Sequence, residues 1–146
     1  MGRYLLVAHQ TEESSELRSQ VAELLHEDPG AEFVLLVPAT PIGLLEAVGG
    51  EGRTAIEVAN LRARHARLLL EEVGARVTAA RIGNYDPLVA VHEELRGGNY
   101  DAVVISTLPP GVSRWLRLDL PARVSRRFSR IRVIHVVAHA ASASTR

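Results

Sequence analysis

Hydrophobic positions along the chain change period repeatedly. Four short runs, Tyr4–Ala8, Glu32–Val37, Ala102–Ile105 and Ile131–Val137, are almost continuously apolar. Runs of this length bounded by turn residues predict strands buried on both faces. A fifth, more mixed run, Arg76–Arg81, predicts a short strand. Between the runs the spacing turns helical. Leu17, Val21, Leu24 and Leu25 predict a helix over Glu12–His26, with Thr11 as its cap and Pro29-Gly30 as its stop. Pro38-Ala39-Thr40-Pro41 breaks the second strand, and a glycine-bearing connection runs on to Gly52. Thr54-Ala55-Ile56-Glu57 reads as a capping box that opens a helix to about Val73, with Gly74 as its stop. Its apolar stripe, Val58-Leu61-Leu68, includes His65, which predicts a half-buried histidine. Asp86-Pro87 caps a third helix through Leu88, Val91 and Leu95 to Gly97-Gly98, and His92 lies on that stripe as a second packing histidine. The last helix starts with Asp119 or Leu120 at its cap and Pro121 in its first turn, and runs to about Phe128.

The resulting order is β-α-β-α-β-α-β-α-β. Such alternation implies an α/β fold, a parallel sheet covered by helices on both faces and joined by right-handed crossovers. A length of 146 residues suits one domain, expected over residues 1–139, with a small, polar, fraying tail over 140–146. No apolar run reaches about 18 residues, so no membrane span is expected. The chain goes straight from Met1 into a strand-like run, and the expected location is cytoplasmic.

Composition narrows the chemistry. Cysteine is absent, which excludes disulfides, thiolate catalysis and cysteine-ligated metals. All 17 basic residues are arginine, so a P-loop lysine and Schiff-base chemistry are excluded as well. The net charge of zero hides an asymmetry. From Ala102 onward there are eight arginines and one acid, Asp119, a balance of +7, which leaves −7 on the first 101 residues. A basic C-terminal third favours an anionic ligand nearby. Most of Arg123, Arg126, Arg127 and Arg130 read more simply as the solvated face of the last helix. No two histidines have metal-ligand spacing, and no nucleophile elbow, Walker motif or dinucleotide fingerprint is present.

The stretch from Ser106 to Asp119 carries the strongest candidate chemistry. It leaves a buried strand and enters a helix N-terminus, the place where open α/β sheets bind ligands and where unpaired N–H groups favour an anion. Ser106, Thr107, Gly111, Val112, Ser113 and Arg114 are the candidate ligand contacts there. Gly111 can adopt positive φ and turn the N–H groups beside it toward an anion, Ser113 can donate to a phosphate, and Arg114 offers a charged fork. The same hydroxyls can instead satisfy loop backbone. Gln10 and Thr11 belong to the first strand's tip, beside the fourth in a parallel sheet. Gln10 can reach a base or ribose, whereas Thr11 is more simply a helix cap. Trp115, the sole tryptophan, reads as a filler under the loop.

These residues together resemble the universal stress protein family over nearly the whole chain, Arg3 to Val137. Leu5-Leu6-Val7-Ala8-His9-Gln10-Thr11-Glu12-Glu13-Ser14 is similar to the family's first strand and turn. Gly83-Asn84-Tyr85-Asp86-Pro87 is similar to the opening of its third helix, and Ser106-Thr107 to Val124 to its phosphate loop and last helix. The resemblance implies a five-stranded sheet in the order 3-2-1-4-5. It also implies an adenine-nucleotide site fed by backbone groups near Val37 and Ala39, with ATP or AMP as the ligand and no metal beyond nucleotide-bound magnesium. A homodimer pairing through strand five, Ile131–Val137, is implied too. The chain departs from the family pattern at three points. Gln10 stands where an aspartate is usual, Pro109 or Pro110 where a glycine is, and Leu118-Asp119 where a closing Gly-Ser is. A proline donates no N–H to a phosphate, and an aspartate repels one.

Three functions follow as expectations. The leading one is a stress-protein-like regulatory domain that binds an adenine nucleotide or other small anion at the tips of strands one and four. The alternative is a homodimeric interaction module without a nucleotide site. The third, a weak nucleotide hydrolase, would need His9 or Asp119 as its base, and the chain is read as a non-enzyme. A nucleic acid partner is not expected, because the basic third lacks interleaved aromatics and any recognised module, and a membrane partner is not expected in the absence of a long apolar run.

Overall fold

The computed structural model describes residues 2–8, 11, 13–39, 55–111 and 113–138. Gln10, Val112, His9, the Thr54 capping box and the 140–146 tail lie outside these residues. The elements in order are β1 (Arg3–Ala8), α1 (Ser15–Glu27), β2 (Glu32–Pro38), α2 (Ala55–Glu72), β3 (Arg76–Gly83), α3 (Pro87–Gly97), β4 (Ala102–Thr107), α4 (Arg114–Arg117), α5 (Leu120–Arg127) and β5 (Arg132–Val137). The five strands are all parallel and ordered β3-β2-β1-β4-β5.

Alternation along each strand divides the core into two layers. Leu6, Phe33, Leu35, Val37 and Val104 pack on one face against Leu17, Val21 and Leu24 of α1 and Ala63, Ala66 and Leu70 of α2. Leu5, Val7, Val34, Leu36, Val103 and Ile105 pack on the other against Ala90, Val91 and Leu95 of α3, Trp115 of α4 and Leu120 and Val124 of α5. Trp115 is therefore the filler its sequence context predicts. His92 is a packing histidine as expected, with its ring edge-on to Phe128 at 5.4 Å. At the N-terminal end of the sheet Arg3 lies 4.6 Å over the Tyr100 ring. The Tyr100 hydroxyl donates to Glu94 at 2.7 Å, and Arg81 pairs with the same carboxylate at 3.1 Å. Burial and that hydrogen bond push the Tyr100 phenol well above its ordinary range.

Several boundaries differ from the sequence pattern, each for a physical reason. α1 begins at Ser15 rather than Glu12, because Ser14 is the cap: the Leu17 amide donates to its Oγ at 3.1 Å. β2 runs one residue further, through Pro38, which pairs with Gly83 of the longer β3. A proline is tolerated there because the ladder to β1 ends at Val7–Leu36, so its missing N–H is not needed on that side. β4 also runs on, to Ser106 and Thr107, which pair with Ala8, Val136 and Val137 of the flanking strands.

The largest revision concerns α2. Its buried face is small: Ala59, Ala63 and Ala66, with Leu70 as the one large side chain. Leu61 and Leu68 point to solvent, and His65 is exposed, bonded to Glu13 of the α1 turn at 2.6 Å. Alanines let the helix approach the sheet closely, so the leucine stripe that looks like a core face in sequence is the outer face. Leu70→Ala is therefore expected to lower stability by about 2–5 kcal/mol, and Leu68→Ala to change it by no more than about 0.5 kcal/mol. Urea unfolding of the two variants checks this, and equal losses would contradict the assigned face.

Candidate functional site

The direction of winding across the sheet reverses between β1 and β4: the connections from β1 lead toward β3, and those from β4 lead toward β5. The C-terminal ends of these two strands form the switch point where open α/β sheets hold ligands. Thr11 follows β1 there and is buried. Its hydroxyl donates to the Ser106 carbonyl at 3.2 Å, which straps the end of β1 to the end of β4. Thr11 is thus not the cap of α1 that the sequence predicts. It belongs to the site region in a structural role.

Ser106 itself is fully buried, and its Oγ has no hydrogen-bond partner among the described residues. Leaving a buried hydroxyl unpaired costs about 1–3 kcal/mol. On the opposite face Thr107 is buried and its hydroxyl meets Nε2 of His135 at 2.8 Å. Desolvation lowers the His135 pKa below its ordinary value. The Thr107 carbonyl accepts from the Ala138 amide at 2.7 Å, which fixes the chain as it leaves β5. His135 is a site-region residue that sequence reasoning placed only on a strand. Its link to Thr107 is a diagonal contact across the β4–β5 register, which no single-strand pattern reveals.

Beyond Thr107 the loop folds into a capped helical turn. The Ser113 amide donates to the Pro109 carbonyl at 2.9 Å, and the buried Ser113 Oγ accepts from the Leu116 amide at 3.1 Å. Ser113 is therefore the cap of α4, whose first residue is Arg114. The Leu118 and Asp119 amides donate to the Trp115 and Leu116 carbonyls at 3.2 and 3.0 Å. Gly111 turns the chain at a φ of 88°, exposed, with open space where a Cβ would stand. Asp119 precedes α5 in the left-handed region, at φ 59° and ψ 39°, and its carboxylate makes no cap hydrogen bond. Arg126 lies 3.8 Å from that carboxylate, with both side chains exposed.

The remaining candidates divide. The Ala39 amide donates to the Gly83 carbonyl at 3.1 Å, which ties the end of β2 to β3. The Val37 side chain is buried in the α1–α2 layer, so only its backbone can serve a ligand. Gln10 and Val112 lie outside the described residues. Among the described residues no group of three His, Asp or Glu side chains could hold a metal ion, and no helix is long and apolar enough to cross a membrane.

This geometry defines an open, doubly wound α/β domain with buried hydroxyls gathered at its β1–β4 switch point. No family model matches the chain, and no curated protein does. Among solved structures it is similar to a universal stress protein from Archaeoglobus fulgidus, with 14% identity over 93% of both chains and a TM-score of 0.61. It is also similar to a universal stress protein in complex with cAMP, with 18% identity, 94% of this chain and 98% of the other covered, and a TM-score of 0.53. The chain has the universal stress protein fold.

Two outcomes test the roles assigned here. Thr11→Val removes the strap and is expected to cost about 0.5–1.5 kcal/mol in urea unfolding, whereas a residue free in a loop would cost nothing. For His135, the depressed folded pKa means the unfolded chain binds the proton more readily. The stability it contributes is complete above about pH 6.5, the unfolded value, and is lost as pH falls through that value toward the folded one. The drop in urea midpoint from about pH 8 to about pH 5 should then be smaller in His135→Gln. An unchanged drop would show that His135 titrates alike in both states.

Proposed function

We propose that this chain is a member of the universal stress protein family. In this reading it is a non-enzymatic, cytoplasmic regulatory domain that binds a small adenine nucleotide or a comparable anion at the tips of β1 and β4. The observation that carries this reading is Ser106. A fully buried hydroxyl without a partner among the described residues, held beside the Thr11 strap at the switch point, is stabilised when the loop opens enough for a ligand to supply the missing hydrogen bond. The similar stress protein in complex with cAMP supports an adenine nucleotide as the ligand class. Ligand binding would order the segment from Thr107 to Arg117 and so report nucleotide status to a partner.

A second reading has its own support. β5 is an edge strand, with Arg132 and His135 exposed along it, and such an edge offers its backbone to a second copy. A homodimer through Ile131–Val137 is compatible with either a working or a closed nucleotide site. Sedimentation of the wild type and of Val133→Pro separates the cases: a dimer that the proline splits supports pairing through this edge, and a monomeric wild type ends it.

Nucleotide binding is tested by melting with and without cAMP, AMP or ATP, with sulfate as the control. A ligand at about 100 times its dissociation constant adds roughly 2.7 kcal/mol, an easily seen shift for a chain of this size. Ser106→Ala sharpens the test because its two effects have opposite signs. It should raise the stability of the ligand-free protein by about 1 kcal/mol, since it removes a buried hydroxyl with no partner among the described residues, and should shrink the ligand-induced shift. A variant that loses stability and keeps the full shift would place the ligand elsewhere.

A further inference from the structure

We infer that the open edge of β5 is a docking strip for an extended, acidic segment of a partner protein, which adds to the sheet as a further strand. The Arg132 amide donates inward to the Asp101 carbonyl, just before β4, and the Ala138 amide to the Thr107 carbonyl at the end of β4. Backbone groups alternate in direction along a strand. The unbroken register from Ala102–Arg132 to Thr107–Val137 therefore turns the N–H and C=O of Val133, His135 and Val137 away from β4. β5 ends the sheet, so among the described residues no strand meets them. Such a row of backbone groups accepts an added strand, and main-chain hydrogen bonds then supply the affinity.

Charge selects the strand. Arg123, Arg126 and Arg127 of α5, Arg130 of the turn after it and Arg132 at the start of β5 are all exposed. Among the described residues their one ion pair is the loose contact of Arg126 with Asp119 at 3.8 Å. Asp101, whose carbonyl meets the Arg132 amide, has its carboxylate engaged by the Arg3 amide at 2.8 Å. α5 packs between α3 and β5. It turns Leu120 and Val124 to the sheet and Phe128 to His92 of α3. The helical period then puts Arg123 on the flank away from α3, which is the flank toward the β5 edge. Glutamates on an added strand are attracted to these guanidiniums, and lysines are repelled. A second copy is the poorer occupant. Antiparallel pairing of two β5 strands relates the copies by a two-fold axis normal to the sheet, which sets both arginine-bearing α5 helices side by side on one face. The inference therefore competes with a homodimer through Ile131–Val137.

The test is fluorescence anisotropy of a labelled synthetic peptide of about eight residues that alternates threonine and glutamate, with a threonine–lysine counterpart as the control. The full chain should bind the glutamate peptide at least about tenfold more tightly than the lysine peptide. Raising salt to about 0.5 M should weaken that binding, and replacing both Arg130→Glu and Arg132→Glu should abolish the preference. Amide hydrogen exchange locates the contact without any substitution: the glutamate peptide should slow exchange at Val133, His135 and Val137. No binding of the glutamate peptide, equal binding of the two peptides, or protection that misses these three amides overturns the proposal. A wild-type dimer in which the three amides are already protected, and which the glutamate peptide does not dissociate, assigns the edge to a second copy and overturns it as well.

Discussion

Pairing of β1 with β2 on one side and β4 on the other is the constraint on which the structure depends. β1 sends Leu5 and Val7 into one layer of the core and Leu6 and Ala8 into the other, so it can sit only at the centre of a sheet covered on both faces. Once it does, its neighbours on the two sides belong to opposite windings of the chain. Their connections separate at its C-terminal end, and the gap between them is the switch point. The Thr11 hydroxyl closes that gap at its base by bonding the Ser106 carbonyl. The same register that buries the leucines thus sets Ser106 beside the end of β1, with its own hydroxyl unpaired among the described residues.

A site of this kind holds an anion by combining backbone donors with a favourable helix end. The loop after β4 is a capped turn in which the Ser113, Leu116, Leu118 and Asp119 amides bond within the loop, with Ser113 and Pro109 as the fastening. Asp119 places negative charge where the next helix begins.

Much of this was legible in the residues. The periods of five strands and the helices between them specify a parallel α/β sheet, and the resemblance supplied its strand order. The stretch from Ser106 to Asp119 stands out because a strand run ends there in hydroxyls, prolines and glycine. Local roles were harder to read. Thr11 and Ser14 are equally good caps by type, and only the burial of Thr11 against β4 decides for Ser14. The Leu61 and Leu68 stripe is as apolar as a core face, and the alanine face won because small side chains let α2 pack closely on the sheet. Pro38 reads as a strand breaker unless it is known that β1 stops short of it. The Thr107–His135 contact spans two strands and depends on their register, which period and composition do not encode.

The most direct test of the account is a backbone amide NMR spectrum of the protein titrated with cAMP. The account predicts shifts concentrated at Ala8, Thr11, Ser106, Thr107 and Gly111, with Arg3, Tyr100 and the rest of the sheet's N-terminal end unmoved. Shifts gathered at that opposite end or along β5, or no shifts at saturating nucleotide, would contradict a ligand site at the β1–β4 switch point.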